Sequence, residues 1–133
     1  SLPGVRVLLK KIPSVAKSRG HTKSIGGRRQ RYPNGKGIYK SPAHLYQGSS
    51  ADCMKQKLIE IYRHLAGTGS RLLLSVHDEF NLSLEKGNDK LKKEITEILE
   101  CFDGTTCPIK LNVPIVSDYG EGATWAIASG KGS

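Results

Sequence analysis

The sequence is 133 residues long, the size of one domain and short for a self-contained enzyme with several subdomains. Its formal net charge of +9 belongs to the N-terminal third, because residues 1–40 hold eleven Lys or Arg and no acid, whereas residues 41–133 hold ten basic and twelve acidic side chains. Such a segment attracts a polyanion, most commonly nucleic acid, and its lack of a long apolar face rich in Trp and Phe disfavours a membrane surface.

The cysteines and the hydropathy narrow the class of protein further. Cys53, Cys101 and Cys107 lack CxxC spacing, and no apolar signal segment precedes them. They predict a reduced, cytoplasmic protein that is neither a disulfide scaffold nor a zinc module. No stretch approaches the roughly 18 apolar residues of a membrane span, so no membrane partner is expected.

The N-terminal third predicts a basic helix followed by a hairpin. Apolar residues at positions 5, 8, 9 and 12 follow helical spacing, Pro13 predicts a kink or break, and Arg19-Gly20 is typical of a helix end. Residues 21–25 and 28–32 flank Gly26-Gly27, a pair expected in a tight turn between two strands. Residues 33–42 are expected to form a loop.

The rest of the chain predicts two helices, a second hairpin and a last strand. The first of these helices should start near Ser49 or Ser50 and end at Gly67, with an apolar stripe of Met54, Leu58, Ile61 and Leu65. A hairpin covers residues 71–84, and Asn88 can cap a helix that buries Leu91, Ile95, Ile98 and Phe102. Alternation over residues 109–115 predicts the strand. This order indicates an α+β fold, an antiparallel sheet covered on one face by helices.

The second hairpin carries two adjacent acids, Asp78 and Glu79, at its tip. Hard divalent cations prefer carboxylate oxygens, and a rigid turn holds such ligands in place, so the pair is a candidate metal site. Ordinary turn chemistry is the alternative, because acidic residues are common between two strands.

Four segments in a fixed order resemble family A DNA polymerases, the group that contains the bacterial repair polymerase and the short-tailed phage replicases. Residues 20–29 are similar to that family's G-x-x-x-T-x-x-G-R-R hairpin, residues 47–52 to its Q-G-T-A-A-D helix start, residues 76–79 to its third catalytic motif, and residues 113–125 to its V-P-L strand and G-x-x-W. The resemblance implies the C-terminal portion of a polymerase palm, with residues 1–48 as a DNA-facing helix and hairpin and residues 49–133 as the palm core.

The resemblance also implies roles for individual residues. Asp78 would be a catalytic carboxylate that coordinates Mg²⁺ between the primer 3′ end and the nucleotide phosphates, with Glu79 in a supporting part and His77 near the primer terminus. Gln47 would reach the minor groove. Arg28, Arg29 and possibly Lys23 would bind the duplex backbone. The implied partners are primer-template DNA, deoxynucleoside triphosphates and an N-terminal polymerase portion that carries the fingers, the thumb and the rest of the palm.

The chain departs from the family pattern in several respects. Ala43 lies where an Arg or Asn would read the minor groove, and Lys40 or His44 are the candidates to replace that contact. Ser129 lies near the point where the family often has His. A second catalytic Asp and a nucleotide-gripping fingers helix are absent from these residues, so the chain alone is expected to be inactive.

The sequence therefore predicts a piece of a DNA-directed DNA polymerase, either the smaller chain of a split enzyme or a part of a longer one. The main alternative is a non-catalytic basic DNA- or RNA-binding module, in which Asp78 and Glu79 only close a turn. A metal-dependent nuclease that uses the same two acids is a weaker possibility.

Overall fold

The computed structural model describes residues 3–130 and divides the chain into two compact units, residues 1–55 and residues 56–133. The elements in chain order are α1 (Pro3–Arg19), β1 (His21–Lys23), β2 (Arg29–Arg31), two 3₁₀ turns (Pro33–Gly35 and Ile38–Lys40), α2 (Ser41–Leu65), β3 (Arg71–Val76), β4 (Glu79–Ser83), α3 (Asp89–Glu100) and α4 (Trp125–Ala128). The α+β class is confirmed, although the strands form two separate antiparallel hairpins and not one sheet. Within residues 3–130, no helix has the length and hydropathy needed to cross a membrane.

Helix α1 continues through Pro13, so of the predicted kink or break the break is wrong and the kink stays a prediction. A proline inside a helix removes one hydrogen bond and disturbs the preceding turn, at a cost of about 3 kcal/mol. Ile12 and Ala16 lie on either side of Pro13 and are both buried. The burial of apolar side chains offsets part of that cost. Val5, Leu8 and Leu9, which share the predicted apolar spacing, remain exposed.

The first hairpin has the predicted position and an antiparallel register that pairs Lys23 with Arg29. Its turn closes through a hydrogen bond from the Gly27 N–H to the Ser24 carbonyl, at 2.9 Å. Gly27 has a φ of +88°, a left-handed value that a side chain would make costly. The hairpin is therefore confirmed, but its loop is one residue longer than the predicted glycine pair: residues 25–27 lie between Ser24, whose N–H donates to the Arg28 carbonyl at 2.8 Å, and Arg28.

Helix α2 begins at Ser41, well before the predicted start at Ser49 or Ser50. Pro42 can occupy the first turn because its missing N–H has no helical partner there. Ser49 is not a cap: its hydroxyl accepts a hydrogen bond from the Ile25 N–H at 3.1 Å. The segment expected to be a loop is thus two 3₁₀ turns followed by the start of this helix.

The core of the second unit joins α2, α3 and the second hairpin. Ile61 and Leu65 of α2 pack with Leu91 and Ile95 of α3, and all four are buried. The partly buried residues packed against this cluster are Leu72, Phe80, Leu82, Leu84, Ile98 and Leu99. Helix α3 begins as predicted, since the Asn88 side chain accepts a hydrogen bond from the Leu91 N–H at 3.0 Å. The second hairpin is thereby held by its apolar side chains against two helices.

Lys57 is a buried residue that the apolar stripe did not predict, with 1% of its surface exposed. Its ammonium donates to Glu60 at 2.7 Å and to the Cys101 carbonyl, and it lies 4.4 Å from the centre of the Phe102 ring. Burial tends to raise the pKa of Glu60, but hydrogen bonds from Lys57 and Gln56 outweigh it and lower that pKa. A buried charge of this kind requires such partners, because an unpaired one is costly to desolvate.

The predicted last strand over residues 109–115 does not form. Within residues 3–130, its region contains only an isolated bridge between Asp103 and Lys110. Ile109 is buried, but Val113 and Ile115 are exposed. Alternating apolar residues make a strand only where a neighbouring strand completes the hydrogen-bond ladder, and Pro114 also lacks a donor.

Replacing Ile61 with Ala should lower the free energy of unfolding by about 2–5 kcal/mol, because it leaves a cavity in the second unit's core. Ile59→Ala is the matched control: it makes the same chemical change on the same helix, where the side chain is 43% exposed. Its effect should stay within about 0.5–1 kcal/mol. Urea denaturation measures both, and equal losses would contradict a core centred on Ile61.

Candidate active site and nucleic-acid surface

The acidic pair lies at the tip of the second hairpin, as predicted. Val76 pairs with Glu79, so only His77 and Asp78 lie in the turn between β3 and β4. His77 has a φ of +53°, an uncommon left-handed value for a residue with a side chain. The side chains of His77, Asp78 and Glu79 are all exposed at this tip. Two adjacent carboxylates and an imidazole are therefore presented to solvent by a short, paired turn.

Glu79 has a partner that the sequence did not predict. The indole N–H of Trp125 donates a hydrogen bond to Glu79 Oε1 at 2.9 Å. The two residues belong to two of the four family-like segments, and they are 46 positions apart in the chain. No periodicity or spacing rule links positions so distant, so the sequence predicts the two segments but not their contact.

The acidic pair is an incomplete donor set for a metal ion. Within residues 3–130, no group of three or more His, Cys, Asp or Glu side chains is placed to hold one. Asp78 and Glu79 supply exposed carboxylate oxygens, which suit a hard cation such as Mg²⁺. Further ligands would have to come from outside this part of the chain.

Arg28 ties the first hairpin to α2. Its guanidinium donates to the Gly48 carbonyl and to Asp52, both at 2.9 Å. Asp52 also accepts a hydrogen bond from the Gly26 N–H at 3.1 Å. Arg28 therefore has a structural role, and half of its side chain remains exposed.

The carboxyl group of Asp52 is held in its ionised form by these contacts. Its burial tends to raise the pKa, but hydrogen bonds from Ser24 and the Gly26 N–H, together with the charge and hydrogen bond of Arg28, outweigh burial and lower it below the usual 3.8. The Asp of the Q-G-S-S-A-D segment thus holds the Gly-Arg-Arg turn in place.

Three other predicted DNA-binding residues lie on the surface of the same unit. Lys23 and Arg29 are exposed and opposite each other in the hairpin register, and Gln47 is exposed on α2. Their side chains make no hydrogen bond or ion pair within the described part of the chain. These three side chains have the exposure that a DNA contact requires.

His44 and Lys40 differ in how they are held. His44 stacks on Tyr32 with ring centres 5.9 Å apart, and its Nδ1 is 3.1 Å from the Tyr32 hydroxyl. Lys40 is exposed, with its ammonium 5.7 Å from the centre of the Tyr39 ring. His44 is therefore oriented by a neighbour, whereas Lys40 keeps a longer reach.

The family model for DNA polymerase family A matches residues 1–127. The chain belongs to DNA polymerase family A. It is 34% identical over 122 residues to DNA polymerase DpoZ of Salmonella phage PMBT28, and the match covers 90% of this chain and 19% of that polymerase. It is 30% identical over 135 residues to DNA polymerase I of Streptococcus pneumoniae TIGR4, covering 92% of this chain and 15% of that protein.

A solved family A structure has the same fold. It is the POL domain of Pol1 from M. smegmatis in complex with DNA primer-template and dNTP, with a TM-score of 0.83 and 27% identity. The match covers 96% of this chain and 24% of that chain. The resemblance stated from the four segments is confirmed, and this chain spans about one fifth of the length of the phage family A polymerase it matches.

Asp52→Asn should lower the free energy of unfolding by about 1–2 kcal/mol at pH 7, because the ionised acceptor of Arg28 and Gly26 is lost. Since the folded pKa of Asp52 is below 3.8, its stabilisation is present above that pH and is lost as the pH falls through the folded pKa. The wild type and the variant should therefore converge in that acid range. Denaturation at several pH values measures this. Asp118→Asn, at an exposed position, should match the wild type throughout; a pH-independent deficit for Asp52→Asn would contradict the argument.

Proposed function

We propose that this chain is the C-terminal palm portion of a DNA-directed DNA polymerase and acts in template-directed nucleotidyl transfer. The observation that carries the proposal is the placement of Asp78 in an exposed two-residue turn, within a chain of family A. Its structural neighbour was solved with DNA primer-template and dNTP, which supports the same two partners here. In this reading the reaction takes place in the cytoplasm, in the host cell if the source is a virus.

The two carboxylates fit a divalent cation, and Mg²⁺ is the one proposed. Asp78 would hold it directly and Glu79 would support it, because both offer exposed oxygens on a hairpin that is packed against helices. When bound, Mg²⁺ lowers the pKa of the primer 3′ hydroxyl and stabilises the leaving pyrophosphate. The contribution of this chain is to present carboxylate charge at a defined point and to keep it there.

The basic surface of the first unit would bind the duplex without regard to sequence. Lys23 and Arg29 would contact phosphates, with the exposed face of Arg28 beside them. Gln47 would contact the minor groove, and His77 the primer terminus. Lys40 is a further candidate because of its reach. Charge contacts of this kind hold DNA of any sequence, which suits a replicating enzyme.

The reaction would need a second, larger portion of the polymerase. The chain corresponds to 19% of its phage relative, and its acids form an incomplete donor set in residues 3–130. We propose that the remaining palm, the fingers and the thumb supply the other carboxylate and the groups that grip the nucleotide. The exposed apolar side chains Leu73, Leu74, Val113 and Val116 are consistent with such a partner.

Asp78→Asn should reduce primer extension by about 100-fold or more in the polymerase that contains this chain, because the amide removes the ligand charge. Steady-state extension with Mg²⁺ and the four nucleotides measures it. Asp118→Asn is the control, since it removes an exposed carboxylate elsewhere in the same unit. Unchanged extension by Asp78→Asn would exclude the catalytic role and favour a basic nucleic-acid-binding module.

Arg29→Ala should weaken duplex binding and reduce the slope of log K against log salt by about 1, because one phosphate contact is lost. Its melting temperature should stay that of the wild type, since Arg29 makes no ion pair within residues 3–130. Arg28→Ala is the comparison and should lower the melting temperature as well, through the loss of Asp52 and Gly48 contacts. An unchanged salt slope in Arg29→Ala would contradict the proposed phosphate contact.

A further inference from the structure

We propose that Trp125 is a positioning residue, whose indole N–H orients the Glu79 carboxylate beside Asp78. The inference rests on the proposed function, because it concerns how the acidic hairpin holds Mg²⁺. It starts from a hydrogen bond that links the hairpin tip to α4, at 2.9 Å between Trp125 Nε1 and Glu79 Oε1.

The chemistry of the donor suits this role. An indole offers a single N–H and accepts nothing, so it can occupy only one lone pair of one carboxylate oxygen. The hydrogen bond leaves Glu79 Oε2 available, and it leaves the negative charge in place because the indole is neutral. An Arg or Lys at the same point would orient the carboxylate but would also cancel the charge that attracts a cation. Trp125 therefore fixes the orientation of the Glu79 carboxylate without cancelling the charge that attracts the metal ion.

The segment before Trp125 packs closely against α4. A Cβ atom on Gly120 would lie 2.0 Å from the Ala128 carbonyl oxygen, and one on Gly122 would lie 2.5 Å from Ile127 Cγ2. Neither distance is compatible with a side chain, so glycine is required at both positions for this packing. The Thr124 hydroxyl accepts a hydrogen bond from the Ile127 N–H and begins the single turn of α4. The position of the α4 backbone, from which the indole projects, is thus set by local packing.

Two polar contacts fasten the same segment to α3. Glu121 pairs with Lys92 at 2.6 Å, and the N–H and hydroxyl of Ser117 both donate to Glu100 Oε1, at 2.8 and 2.9 Å. Exposed pairs of this type contribute little to stability, but they restrict where the segment can lie. Phe80 of β4 packs against the same core as α3. The strand that carries Glu79 and the segment that carries Trp125 are therefore both attached to one packed cluster.

Packing alone does not explain Trp125. More than half of its surface, 55%, is exposed, so the indole is only partly buried, and Phe would keep an aromatic ring at the same position. What Phe cannot supply is the N–H. Groups that hold a metal ligand in place commonly change metal affinity about 10- to 100-fold when they are lost. The effect of Trp125→Phe should therefore be on the metal dependence of the reaction and not on folding.

The first test compares Trp125→Phe with the wild type in the polymerase that contains this chain. The Mg²⁺ concentration for half-maximal extension should rise about 10-fold, with the melting temperature unchanged. Tyr119→Phe is the matched control, because it also removes one polar group from an exposed aromatic residue of the same segment, and it should match the wild type. In a Glu79→Ala background, Trp125→Phe should have no further effect, since the two residues act as one unit.

A second readout is independent of activity. Trp125 is the one tryptophan of this chain, and its signal in ¹⁹F NMR of 5-fluorotryptophan-labelled polymerase is assigned by its loss in Trp125→Phe. That signal should shift in Glu79→Ala and should not shift in Asp118→Asn.

The outcomes separate the inference from the proposed function. Full activity of Asp78→Asn would overturn both. An inactive Asp78→Asn combined with a wild-type Mg²⁺ dependence of Trp125→Phe would overturn the positioning role alone. The same conclusion follows if the effect of Trp125→Phe persists undiminished in Glu79→Ala, or if the Trp125 signal does not respond to Glu79→Ala.

Discussion

The second unit depends on the packing of Ile61 and Leu65 against Leu91 and Ile95, because that contact fixes the two helices on which the acidic hairpin rests. A two-stranded hairpin is at best marginally stable by itself in water. Here the apolar faces of β3 and β4 lie against the helices, and the turn at the far end remains exposed. A ligand can stay accessible and still be rigid when the rigidity comes from a core some residues away. This arrangement exposes two carboxylates to solvent while it keeps their position fixed.

The first unit carries a large excess of positive charge. Positive side chains repel one another, and Asp52, the single acid among residues 1–55, offsets part of that repulsion while it connects the hairpin to α2. Arg28 faces Asp52, whereas its neighbour Arg29 has no such partner within residues 3–130. Two adjacent arginines of one motif thus have different physical surroundings. The charge count of the sequence could not have separated them, because both contribute equally to the net charge.

Features of short range could be predicted from the sequence, and features of long range could not. The hairpin around residues 77–78 and the Asn88 cap depend on neighbours within a few positions, so alternation and capping rules found them. The start of α2 was missed because Ser49 looks like a cap, although its hydroxyl bonds to Ile25, 24 positions earlier. Apolar residues do alternate over residues 109–115, which predicts a strand. A strand also needs a neighbouring strand to pair with, and the sequence pattern does not reveal whether one is present. The contact of Trp125 with Glu79 has no local signal at all.

Lys57 has a consequence for the chemistry of the protein in solution. Its amine is buried, hydrogen-bonded to Glu60 and covered by the Phe102 ring, while most other lysines of the chain extend into water. An amine-specific reagent would therefore modify the surface lysines first and reach Lys57 only when the second unit opens. The rate at which Lys57 becomes acylated therefore reports on the opening of the second unit. It can be measured on a single peptide by mass spectrometry.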